Sequence, residues 1–312
     1  MISRLYILFL VLLVSGGCRS KSPDRQDTLN SGVIKIAVDE TLYPLMDAEL
    51  TVFESLTPAA GIVPEYVSET DAINKLLLDS VRLVLATRPL TEEEMESFHS
   101  RKFFPEVIKI ATDGIALIVN PQNRDTIVNV EMLKEIFRGN VTRWDELSEG
   151  SALGSIRVAF DSPNSSTVRF VLDSICGKGQ LSDRCFVCGS NGAVIDYVAE
   201  TPGALGVIGV NWISNGQDSL CIDFLDRVRV MRVSRSEHPA VHDSFQPYQY
   251  YMYTGQYPLL RNVYVLLNDP RSGLPTGLAF FLAGARGQRL VLRSGLLPAT
   301  MPVNVVNVRD EF

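Results

Sequence analysis

At 312 residues, with 46% hydrophobic and 21% charged residues, the chain has an ordinary globular composition and is long enough for two folded units rather than one. Its net charge of −7 supplies no basic stripe along which nucleic-acid phosphates could be neutralised, so no nucleic-acid partner is expected. A small anion stays open, because it needs only a local arrangement of donors.

The first residues read as a targeting segment. Arg4 precedes an apolar run over 5–14, too short to span a bilayer as a mature helix, and Ser15, Gly16 and Gly17 lead to Cys18. The pattern resembles a bacterial lipoprotein signal, in which the cysteine is lipidated and becomes the first residue, although Ser15 stands where that signal usually carries Leu. A plain secretory signal with Cys18 incidental is the alternative, and either reading exports the chain. Residues 1–18 are thus expected to be a signal and 19–31, which are polar, a flexible tether. Export makes disulfides or buried thiols the expectation for Cys176, Cys185, Cys188 and Cys221. The Cys185/Cys188 spacing would suit a redox pair or zinc, but there is one such pair only, and His99, His238 and His242 are scattered. No metal and no cofactor are expected.

In chain order, the alternation of β-branched residues predicts a strand over 33–38, and helical spacing of Met46, Leu50, Phe53 and Leu56 predicts a helix over 45–56. A strand over 62–67, a helix over 72–78 capped by Ser68 to Asp71, and a strand over 81–86 follow. Thr87, Arg88 and Pro89 break that strand before an acidic helix start at 92–94. Further strands are expected over 108–110 and 114–119, a crossing at Asn120 and Pro121, and a helix over 130–139 with Leu133, Ile136 and Phe137 buried. The apolar run 156–160 then enters Asp161, Ser162, Pro163, Asn164, Ser165, Ser166 and Thr167, which reads as strand, tight loop and helix start. A helix over 193–198, a glycine-punctuated strand over 202–210, strands over 228–233 and 263–267, and closing helices over 277–283 and 287–293 complete the chain. The aromatic row 248–253 is expected to pack against a sheet. Strands alternating with helices imply a mostly parallel sheet, whose ligands gather beyond the carboxyl ends of the strands.

Four segments together resemble the substrate-binding proteins of phosphate ABC transporters (Pst type), within the type 2 periplasmic binding protein superfamily. They are Leu133 to Trp144 (LKEIFRGNVTRW), Asp161 to Phe170, Ala193 to Gly209, and Gly277 to Leu282 with Gly287. The resemblance implies an α/β fold of two lobes with a ligand cleft between them, lobe one being 32–119 plus 232–312 and lobe two 120–231. It implies a ligand set of Thr41, Leu42, Ser68, Thr70, Thr87, Arg88, Asp161, Asn164, Ser165, Ser166 and Thr167. Ser165 and Thr167 fall on the Ser and Thr of the family's R-x-D-G-S-G-T loop, and Ser166 replaces its second Gly. Asp161 stands at the family's Arg and Arg88 at its carboxylate, as though the charges were exchanged between lobes. Two readings follow: Arg88 supplies the cation while Asp161 accepts from a protonated phosphate, or the two residues pair with each other across the cleft.

The function implied is a monomeric, lipid-anchored solute-binding protein facing the periplasm that captures phosphate or a similar oxyanion for an inner-membrane ABC permease. The alternative, from another class, is a binding-protein-like envelope receptor or sensor module with a different ligand or none. An enzyme is not expected: Ser165 or Ser166 as a nucleophile has no His nearby in sequence, and neither Ser-x-x-Lys nor Gly-x-Ser-x-Gly occurs.

Overall fold

The β-branched run of the first expected strand becomes β1 (Gly32–Asp39), and its polar end turns the chain into α1 (Tyr43–Leu56), with Pro44 in the first turn where a missing N–H costs nothing. Met46, Leu50 and Phe53 face the core as their spacing requires, each contributing about 1.5–3 kcal/mol by leaving water. The structure, a computed structural model, describes residues 27–148, 150–215 and 219–302. The expected signal, Cys18 and the tether up to residue 26 lie outside the described residues. The last part of that tether is docked: the Asp27 carboxylate binds Arg82 at 2.7 Å and accepts from the Leu274 amide at 2.8 Å.

The chain continues through β2 (Ala60–Val67), α2 (Glu69–Leu77), β3 (Leu83–Ala86) and α3 (Glu92–Ser100) to the long β4 (Glu106–Val119). After β5 (Ile127–Asn129) come α4 (Val130–Arg138), β6 (Arg157–Phe160), α5 (Ser166–Phe170), β7 (Cys185–Val187), α6 (Asn191–Glu200) and β8 (Ala204–Gly209). Then follow α7 (Ser219–Arg227), β9 (Arg229–Val230), β10 (Arg232–Ser234), β11 (Ser244–Phe245), α8 (Gln249–Tyr253), β12 (Leu260–Leu267), α9 (Leu274–Ala283), α10 (Ala285–Arg293) and β13 (Leu297–Pro298).

The strands lie in the order β2-β1-β3-β12-β4-β8-β6-β7, with β13 and β9 also on β4. β1, β2 and β3 are parallel, as are β6, β7 and β8, while β12 and β4 run against their neighbours. The first half of β4 pairs with β12 and its second half with β8 and β9, so one strand ties two βα-type halves together. The parallel strands of each half point their carboxyl ends, Asp39, Ala86 and Phe160, toward one region. β10 pairs with β5 and β11 in a separate three-stranded sheet.

Three expectations change. The strands expected over 108–110 and 114–119 are one, because Asp113 is buried inside β4 with an ion-pair partner and does not end it. The strand expected over 228–233 is divided at Met231, whose amide donates to Leu117 while its side chain is buried. The aromatic row is a short helix: Tyr251 packs on Phe245, and Tyr248, Tyr250 and Tyr253 are exposed. Cys176, Cys185 and Cys188 are unbridged thiols, and Cys221 donates to the Asn211 carbonyl from a buried position. Among the described residues no helix is long and apolar enough to cross a membrane.

Candidate functional site

At the end of β1, Asp39 Oδ1 accepts from the Thr41 amide at 3.1 Å, which folds the chain into a single 3₁₀ turn and turns Thr41 inward. Thr41 is fully buried; its hydroxyl meets Ser166 Oγ at 3.1 Å, across 125 residues of sequence. Its carbonyl accepts from Asn211 Nδ2 at 2.8 Å and Trp212 Nε1 at 3.0 Å. Leu42 is buried beneath this turn as part of the core.

From the other half, Ser165 caps α5 by accepting from the Val168 amide, and its Oγ lies 2.8 Å from Thr167 Oγ1. Thr167 donates to Asp161 Oδ1 at 2.6 Å. Ser165, Ser166, Thr167 and Asp161 are all buried. Asn164 is exposed at the rim, where its carbonyl accepts from Thr70 Oγ1 at 3.3 Å. Ser68 caps α2, accepting from the Asp71 amide and donating to the Asp71 carboxylate.

Thr87 also faces the cleft. Its amide and hydroxyl both donate to Glu69 Oε1, at 2.7 and 2.8 Å, and its hydroxyl accepts from Arg169 Nη2 at 2.9 Å. Arg88 does not join them. Its two terminal nitrogens each hold one oxygen of Glu94 at 2.8 Å, within the capping box that starts α3. Neither expected role for Arg88 opposite Asp161 is present, since Asp161 is engaged by Thr167 and Arg88 by a residue six positions away. A carboxylate so near in sequence is the cheaper partner, because the helix start already holds Glu94 in place.

The cations of the cleft are two residues outside the expected set. Arg169 Nε donates to Glu69 Oε2, joining the halves across 100 residues. Arg261, on β12, is buried; Nη1 donates to Ser166 Oγ at 2.7 Å, Nη2 to Thr41 Oγ1 at 3.0 Å, and both Nε and Nη2 to Asp113 Oδ2. A Cβ added at Gly209 would come within 2.8 Å of Arg261 Nη2 and 3.2 Å of the Thr41 carbonyl, so the glycine makes room for this arrangement. Both arginines carried a signal: Arg169 lies two residues beyond Thr167 in the loop already singled out, and Arg261 lies just before the apolar run 263–267 read as a strand.

Burial, with Glu69 and Asp161 nearby, pushes Asp39 up to about 7 against the pull of Arg261. Its Oδ2 has no hydrogen-bond donor among the described residues. Burial also raises Asp161, against the hydroxyls of Thr167 and Ser165. Burial works against charge on Glu69 too, but the hydrogen bonds of Arg169 and Thr87 outweigh it and hold that carboxyl below the usual range. Glu40, raised to about 7 by burial, spans the cleft to the Asn191 side chain. Two ion pairs therefore cancel within the cleft, Glu69 with Arg169 and Asp113 with Arg261, and burial raises three further carboxyls there, Asp39, Glu40 and Asp161.

A sheet of two βα halves joined through a shared strand, with hydroxyls and guanidiniums converging between their strand ends, defines a two-lobed solute-binding fold. The family model for a PBP superfamily domain matches residues 23–286, and the chain belongs to that superfamily. It is similar to the phosphate-binding protein PstS of Borreliella burgdorferi, 21% identical over 278 residues that cover 86% of this chain and 90% of that protein. It is also similar to PstS of Bacillus subtilis, 22% identical over 271 residues, 86% of this chain and 82% of that one. Two solved structures share the fold. A Clostridium perfringens protein solved with bound phosphate, described as a candidate phosphate ABC transporter substrate-binding protein, matches with a TM-score of 0.70 and 20% identity, over 86% of this chain and 100% of that one. An ABC-type phosphate transport receptor from Vibrio cholerae matches with a TM-score of 0.62 and 20% identity, over the same shares.

Proposed function

We propose that the chain is an extracytoplasmic solute-binding protein that captures phosphate or a related oxyanion in this cleft and delivers it to an inner-membrane ABC permease. One observation carries the reading: Thr41, Thr87, Ser166 and Thr167 hydroxyls and the Arg169 and Arg261 guanidiniums converge from both halves on one buried region. Hydroxyls and arginines are donors matched to a tetrahedral oxyanion. The carboxyl oxygens of Asp39, whose Oδ2 has no donor among the described residues, and of Asp161 suit an oxyanion that itself carries a proton to donate, which fully ionised sulfate lacks. The names of the relatives in PstS proteins agree with this ligand class.

In this reading Cys18 is the lipidated residue that anchors a monomer at the envelope, and the chain is a carrier and not an enzyme. Lobe one is 32–119 with the C-terminal part and lobe two starts at 120. The pairing of β10 with β5 and β11 favours ending lobe two beyond β11 and not at 231. A second reading, a sensor module with a different ligand or none, is favoured by the cross-lobe contacts the protein makes with its own groups, Glu69 to Arg169 and Glu40 to Asn191. Uptake of labelled phosphate by cells carrying the wild-type chain or a Thr41→Val/Ser166→Ala variant separates the two. Carriage predicts lower uptake in the variant; equal uptake sinks it and leaves the sensor.

A further inference from the structure

Glu69 occupies a position that no ligand-matching residue type would predict. It is the first residue of α2, with its side chain 3% exposed, and it faces Thr87 of its own half and Arg169 of the opposite wall. One carboxylate oxygen takes the amide and the hydroxyl of Thr87 at 2.7 and 2.8 Å; the other takes Arg169 Nε. Arg169 Nη2 completes the ring through Thr87 Oγ1 at 2.9 Å. An amide, a hydroxyl and a guanidinium around two oxygens make a donor set suited to an oxyanion, and the carboxylate is an oxyanion supplied by the chain.

Resting on the oxyanion reading above, we propose that Glu69 is the cleft's built-in anion: it competes with the ligand for Thr87 and Arg169 and latches the two halves together. Two charges of like sign cannot share these donors, so an incoming phosphate takes Arg169 only as Glu69 gives it up. Glu69 therefore sets affinity and the tendency to close, lowering the first and raising the second. Glu69→Gln tests the idea with little change of shape, since an amide oxygen still accepts from Thr87 while the negative charge is gone. If Glu69 merely supported the loop around Thr87, losing its charge would weaken the site. A competitor predicts the opposite sign.

The experiment pairs calorimetric titration of inorganic phosphate with small-angle scattering of the phosphate-stripped proteins, wild type against Glu69→Gln. The expected result is phosphate binding tighter by about tenfold or more in the variant, the scale of one charge-assisted contact. The stripped variant is also expected to scatter as a more open particle than the stripped wild type. Equal or weaker binding by the variant overturns the proposal. If neither protein binds phosphate, the oxyanion reading falls, and the scattering alone decides the latch: superimposable curves overturn it. Arg169→Gln is the control, expected to open the particle as well but to weaken phosphate binding.

Discussion

Arg261 on β12 and Asp113 on β4 are registered opposite each other, and their side chains meet at 2.8 Å with exposures of 2% and 0%. The same guanidinium reaches Ser166 and Thr41, so a structural ion pair also places the donors of the cleft. Removing one partner leaves an uncompensated buried charge. Arg261→Met alone is expected to cost about 3–5 kcal/mol in urea unfolding. Arg261→Met with Asp113→Leu should recover most of that stability without recovering phosphate affinity. A double variant as unstable as the single would show that the charge is not the cause.

Arg88 and Arg169 should behave in opposite ways. Arg88 is committed to Glu94 on its own side of the molecule, so Arg88→Ala should leave phosphate affinity unchanged and cost about 1 kcal/mol of stability, the upper end for a partly exposed ion pair. Arg169→Gln should weaken phosphate binding by about tenfold or more. An Arg88→Ala variant that loses binding would return that residue to the ligand set.

Affinity should fall as pH rises through the value at which Asp39 loses its proton, about 7. Below it the buried carboxyl is neutral; above it a charge faces the incoming anion. Phosphate itself titrates near this range, so the comparison is with Asp39→Asn, whose affinity should vary less with pH between about 6 and 8. Parallel profiles for the two proteins would exclude Asp39 as the cause.

Glu49 lies on the buried face of α1, and neither carboxyl oxygen has a hydrogen-bond partner among the described residues. Burial pushes it up to about 9 from an ordinary 4.5. The folded state thus holds a proton that the unfolded chain gives up between these values, and Glu49 lowers stability progressively as pH rises through that window. Glu49→Met should raise stability at pH 8 by about 1–3 kcal/mol, with the gain shrinking toward pH 4.5. A gain independent of pH would point to packing instead.

Much of the fold was legible because backbone pattern and burial agree locally: the alternation over 33–38 and the spacing of Met46, Leu50 and Phe53 each give the element found. The helix starts after Ser68 and in the loop holding Ser165 were readable by cap chemistry, and the one at 92–94 by its acidic first turn. The short β7 and the helix α7 went unread, the first because three residues carry no period and the second because its four charged or polar positions mask its apolar face. The stretch 111–113 was read as a break between two strands, because a buried Asp113 is intelligible only with Arg261, which lies 148 residues away. The hydroxyl part of the cleft was legible for the same local reason as the caps. The ion pairs were not, since Glu69 to Arg169 and Asp113 to Arg261 are relations of tertiary structure that no spacing encodes.

The central claim is that the hydroxyls and arginines between the two halves bind an oxyanion. Calorimetric titration of the purified chain with phosphate, and separately with sulfate, tests it most directly. The account predicts saturable heat with phosphate at sub-millimolar concentration and much weaker binding of sulfate. No heat with phosphate in that range would contradict it.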